Sequence, residues 1–213
     1  MRTHFMTRSA ILLSVAAFAM ASCSKKSPTA PSQSITLSST ASIDGWVTSA
    51  GVANADSGGP LVGDFDSVNN GVGIREFYSF SLNALPASAT IESATLRLYQ
   101  ASVGGQPYTA LGNVVVDSAN IGVALDAGDY SLPAFASNIG TLSTNVTKEY
   151  KTLDVTTAVK ADRTAARPAS QFRLRFSNLD SNSNGSNDYV GFTDAEDSCC
   201  SVGQPPQLVV VYH

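Results

Sequence analysis

From residue 35 onward, apolar and polar positions alternate with a period of two, and clusters of Gly, Asn, Ser and Asp interrupt the alternation at short intervals. That pattern belongs to strands half-buried on a sheet and joined by tight turns. The clearest strands are residues 74–82 (IREFYSFSL), 90–100 (TIESATLRLYQ), 171–177 (QFRLRFS) and 208–212 (LVVVY). In the second, Ile91, Ala94, Leu96 and Leu98 lean to one face, while Glu92, Thr95, Arg97 and Tyr99 lean to the other. Weaker strands are predicted at 35–37, 43–48, 113–117, 150–153 and 189–192. No long amphipathic helix is written in the chain. One short helix is predicted over 155–162, where the Asp154 carboxylate can accept from the free amides of the first turn. The expected fold is all-β, an antiparallel jelly-roll-like β-sandwich with one short helix.

The first 22 residues break the alternation. Arg2 and Arg8 precede an apolar run, 11–21, too short for a bilayer core that needs roughly 20 residues. This is the plan of a signal peptide over 1–22. Met20-Ala-Ser-Cys23 resembles the bacterial lipobox, with Met20 in place of the usual leucine, so Cys23 is the expected site of lipidation and the first residue of the mature chain. Acyl chains there would hold the protein at a membrane surface in the cell envelope. Ser24 after that cysteine is compatible with sorting to the outer membrane. Residues 23–34, polar and proline-bearing, read as a tether. Residues 35–213 then form one domain, in a chain that is 43% apolar and able to build a proper core.

Loss of Arg2 and Arg8 reduces the 13 basic residues to 11, against 17 acidic ones, for a formal net charge of −6. No basic cluster follows Lys25-Lys26, so nucleic acid is disfavoured as a partner.

Four segments carry a family resemblance. They are Phe77-Tyr-Ser-Phe-Ser-Leu82 followed by Leu85-Pro86, then Ala89-Thr-Ile-Glu-Ser-Ala-Thr-Leu-Arg-Leu-Tyr99, then Leu153-Asp-Val-Thr-Thr-Ala-Val159, and last Pro206-Gln-Leu-Val-Val-Val-Tyr212. In order and spacing they resemble the DNRLRE-domain proteins, whose members are jelly-roll-like sandwiches related to a family of carbohydrate-binding modules. The resemblance implies a non-catalytic surface module that binds polysaccharide or matrix glycan. The family's tryptophans in the middle third are absent, and residues 117–146 are rich in Ala, Ser and Gly. The motifs specify a sandwich and not a ligand. Two other readings stay open: a structural or adhesive envelope lipoprotein that binds protein partners, and a polysaccharide-active enzyme.

Catalytic chemistry has little to work with. Asp56-Ser-Gly-Gly-Pro60 looks like the nucleophile segment of trypsin-like proteases, yet Ala55 stands where a glycine completes that motif. The only histidines are His4 and His213, and a serine nucleophile of that type needs an imidazole. The same shortage disfavours catalytic zinc. Paired acids such as Asp64 with Asp66, or Glu196 with Asp197, could in principle serve a glycosidase, which holds two carboxyls roughly 5 to 10 Å apart. Nothing in the sequence selects a pair, and solvated loop acids are the simpler reading.

Residues 180–188 (DSNSNGSND) place Asp180, Asn182, Asn184 and Asp188 at positions 1, 3, 5 and 9 around Gly185 at 6, which is calcium-loop spacing. Position 12 is Gly191 and not the bidentate glutamate, so the alternative is a polar, Asx-rich hairpin loop. Cys199 and Cys200 are the cysteines left once Cys23 is acylated. Outside the cytoplasm they form a vicinal disulfide, bridge to other molecules, or stay free. Trp46, the sole tryptophan, and Tyr189 are the candidate sugar platforms, and the face that Trp46 takes is open.

Overall fold

Strand β6 (Ile91–Gly104) organises the domain, because it is long enough to belong to two layers. In the computed structural model, which describes residues 31–55, 61–66, 71–196 and 203–213, residues 31–213 form a unit of their own. The first half of β6 lies between β12 (Gln207–Tyr212) and β9 (Tyr150–Asp154), and β1 (Gln33–Ser38) completes that layer outside β12. The second half of β6 pairs with β11 (Tyr189–Phe192). From there the other layer runs through β4 (Leu61–Asp64), β5 (Gly73–Ser81), β10 (Ala169–Phe176), β7 (Val114–Ala119) and β8 (Ala134–Ser143). β2 (Gly45–Thr48) pairs with β5 and carries β3 (Ala53–Asn54) on its other side. Every pairing is antiparallel, and the 12-stranded sheet curls so that its two parts enclose one core. The all-β sandwich expected from the alternation is the fold observed.

The core lies between the layers. Leu37, Ala94, Leu96, Leu98, Leu208 and Val210 come from one, and Tyr78, Phe80, Phe172, Leu174, Val114 and Val116 from the other. The alternation read in β6 holds, with a slip near Glu92 where the pairing to β12 is bulged between Val211 and Tyr212. Each large side chain of this kind contributes about 1.5–3 kcal/mol on burial.

β5 is buried on both faces. Its even residues Tyr78 and Phe80 enter the main core, whereas Phe77 joins Ile43, Val47 and Ile121 in a second cluster outside the sheet. Residues 120–132 form a strap over that cluster. Gln171 accepts from the amides of Ile121 at 2.8 Å and Gly122 at 3.2 Å, and donates to the Gly122 carbonyl at 2.7 Å. Arg75 donates to the Tyr130 carbonyl at 2.6 Å and Arg173 to the Leu132 carbonyl at 2.7 Å. Within the strap, a capping box between Asp126 and Asp129 starts the 3-10 turn Ala127–Ser131.

Several elements differ from expectation. The predicted helix is α2 (Thr156–Thr164), shifted slightly along the chain, and Asp154 Oδ1 does accept from the Thr156 amide at 2.9 Å. A second helix, α1 (Pro107–Ala110), was not predicted; Pro107 at its start fixes the first turn. β8 was also missed, because half of its residues are exposed on an edge and show no alternation. The predicted tether gives its last residues to the domain: Gln33 and Ser34 lie in β1, and Ser32 Oγ donates to Glu92 at 2.8 Å.

Candidate functional site

The loop 180–188 is built on carboxylates from a distant segment. Asp64 accepts from the amides of Asp188 at 2.8 Å and Asn182 at 3.3 Å. Asp66 accepts from the Asn184 amide at 3.0 Å and from Ser181 Oγ at 2.7 Å. Gly63 lets the two segments approach: its φ is +132°, and a Cβ there would sit 2.1 Å from the Asp188 carbonyl. Burial, and then the neighbouring charges of Asp66 and Asp188, push the Asp64 carboxyl above its ordinary range.

Each of the four residues with calcium-loop spacing has a protein partner. Asp180 is turned toward β5, where Arg75 reaches it at 2.6 Å and the Tyr130 hydroxyl at 2.9 Å. Asn182 Oδ1 accepts from the Asn184 amide, and Asn184 Oδ1 from the Ser186 amide, as in consecutive Asx turns. Asp188 accepts from the Gln106 amide at 2.6 Å and from Asn182 Nδ2 at 3.2 Å. Among the described residues, no three His, Cys, Asp or Glu side chains are grouped as a metal centre.

Both aromatic candidates are half-buried. Trp46 pairs with Glu76 across β2 and β5, so it shares the inner face with Glu76. Tyr189 lies edge-on to Phe65, with centroids 5.5 Å apart, and its ring crosses Gly104, where a Cβ would be 2.3 Å from the ring. Cys23, the signal segment 1–22, Asp56-Ser-Gly-Gly-Pro60, Asp197, Cys199 and Cys200 lie outside the described residues.

No protein-family model matches the chain, and no curated protein matches it. The likeness to DNRLRE domains therefore stands on the four quoted segments alone.

Two features escaped the sequence reading. The first is a groove of about 420 Å³ on the outer face of β5 and β10, lined by Thr40, Ser81, Asn83, Asn120, Arg167 and Gln171 among others. The odd residues of β5 and β10 form its floor, and the strap forms one wall. Arg167 stands at its end, bonded to buried Asp162 at 2.8 Å and stacked 3.7 Å over the Phe135 ring.

The second is a set of buried acids at the β2 end of the inner face. Asp44 is 1% exposed, Glu76 0% and Asp194 5%. Asp44 Oδ2 accepts from Ser39 Oγ and from the Ala195 amide at 2.8 Å. Burial lifts the Asp44 carboxyl to about 6 against those two bonds, and burial also raises Glu76 well above its ordinary range. The Tyr78 hydroxyl bonds both to Glu76 Oε1 and, at 2.9 Å, to the Thr193 carbonyl. The Tyr78 hydroxyl proton is thus shared between two acceptors, the Glu76 carboxyl oxygen and the Thr193 carbonyl.

Proposed function

We propose that this protein is a non-catalytic module of the bacterial cell surface, anchored by lipid at Cys23, that binds polysaccharide in the groove between the strap and the outer face of β5 and β10. The observation that carries the reading is the groove itself. Its exposed lining is mostly apolar, from Ile43, Ala119, Val123 and Pro168, with hydroxyl and amide groups at Thr40, Ser81, Asn83 and Asn120 set along it, an open trough suited to the apolar face and the hydroxyls of a sugar chain. The motif resemblance to carbohydrate-binding modules and the lipobox-like segment agree with this reading.

The test is retention of residues 31–213 in affinity gels containing neutral or acidic polysaccharides. Retention by one polymer class is expected, and Ser81→Trp, which fills the trough with an indole, removes it. Absence of retention on every polymer overturns the glycan reading in favour of a structural or protein-binding lipoprotein. Product release from a polymer would instead make the protein an enzyme. The anchor is tested separately: a labelled fatty acid is expected on the full chain and absent from Cys23→Ser.

A further inference from the structure

We propose that Asp44 and Glu76 bind a hard divalent cation of the calcium class at the β2 end of the inner face. This site is separate from the groove and does not depend on the glycan reading.

Strand register brings the two acids together. Trp46 lies opposite Glu76 and Gly45 opposite Phe77, so Asp44, one residue earlier, faces Tyr78. Residues directly opposite in an antiparallel pair point to the same face, and diagonal neighbours are roughly 7–8 Å apart, within reach of two carboxylate side chains. The segment 193–195 crosses above both: the Thr193 carbonyl takes the Tyr78 hydroxyl, and the Ala195 amide takes Asp44. Asp194 lies between those two contacts and adds its charge to the field at Asp44 and Glu76.

The decisive observation is that each acid has one buried oxygen, Asp44 Oδ1 and Glu76 Oε2, that accepts no hydrogen bond. A buried carboxylate oxygen without a donor is costly to maintain. Among the described residues, no Lys or Arg bonds to either acid; Arg75, next to Glu76 in the chain, points to the other face and serves Asp180 and Tyr130. Two unpaired, water-excluded carboxylate oxygens on one face, beneath main-chain groups, are hard ligands with a charge to be neutralised. Calcium takes six to eight oxygens from carboxylates, carbonyls and water, so two acids suffice to nucleate a site.

Trp46, paired with Glu76, provides the readout. Terbium, which takes the same oxygen ligands as calcium, is expected to emit when Trp46 is excited in the full chain, and calcium is expected to compete it away. Asp44→Asn and Glu76→Gln are each expected to weaken terbium binding about 10-fold or more, a typical loss for a disturbed metal site, while Asp188→Asn leaves it unchanged. Trp46→Phe is expected to abolish the emission and keep a calcium-dependent rise in Tm, a result that needs neither acid variant to fold. Absence of sensitised emission and of any calcium effect on Tm would overturn the proposal. So would emission that survives Asp44→Asn and Glu76→Gln but disappears in Asp188→Asn, since that places the ion in the loop 180–188.

Discussion

Arg75 and Asp180, separated by 105 residues of chain, meet through Nε and Nη2 of the guanidinium, at 3.1 and 2.6 Å from one carboxylate oxygen. The same guanidinium lies 4.3 Å from the centre of the Tyr130 ring and donates to the Tyr130 carbonyl. One side chain of β5 thus fastens both the strap and the loop 180–188. Asp180→Asn is expected to cost about 1–3 kcal/mol, the range for a lost hydrogen bond to a charged group. Urea unfolding measures the loss, and faster amide exchange in residues 121–132 shows that the strap loosens with it.

Asp117 sets the acid limit of the fold. Burial pushes its carboxyl up, but the Asn138 amide and the guanidiniums of Arg173 and Arg175 outweigh burial and hold it below its ordinary range. A carboxyl whose folded pKa lies below the unfolded value stabilises the fold above the unfolded value, about 3.9, and loses that contribution as pH falls through the folded pKa. Asp117→Asn is expected to lower stability at neutral pH and to flatten the decline of Tm with acid below about pH 4. A variant with the same acid slope as the parent would remove Asp117 from this role.

The start of α2 depends on a residue outside it. Val155, at the cap position, makes no side-chain cap bond, and Asp154 supplies the acceptor for the Thr156 amide. Asp154→Ala is expected to cost about 1 kcal/mol, and Asp154→Ser, which keeps an acceptor, a fraction of that. Thermal melts of the two variants separate a capping role from a general effect of charge.

Gly104 and Tyr189 form a steric pair. An alanine methyl at 104 would meet the Tyr189 ring at 2.3 Å, so Gly104→Ala is expected to cost about 1–3 kcal/mol by overpacking. In Gly104→Ala combined with Tyr189→Ala the clash is gone, and the two losses are expected to be less than additive. A double-mutant cycle reads that coupling directly.

The strands with apolar residues on one face were legible because a half-buried sheet imposes period two; β6 and β12 are plain in the sequence for that reason. β5 was legible for another: Phe77, Tyr78 and Phe80 make a nearly continuous apolar run, and the strap that buries its outer face explains the run. β8 was not legible, since an exposed edge strand places no demand on alternation, and Asn138 interrupts it with φ of +51°. In the candidate site, Asp188 and Asn182 were found through loop spacing, but that spacing could not show that Asp180 is claimed by Arg75. Asp44 and Glu76 were invisible as a pair because 31 intervening residues separate them and only the β2–β5 register joins them.

The order of pairing around β6 has a consequence for synthesis. As the chain emerges, the first half of β6 waits for β9 and then for β12, both of which come later in the chain. Until Gln207–Tyr212 arrives, the first half of β6 keeps one main-chain edge open. An unpaired strand edge recruits other strands. A holding factor that binds unfolded chains should therefore compete for residues 91–99 until β12 closes the layer, and truncation before Gln207 should increase aggregation.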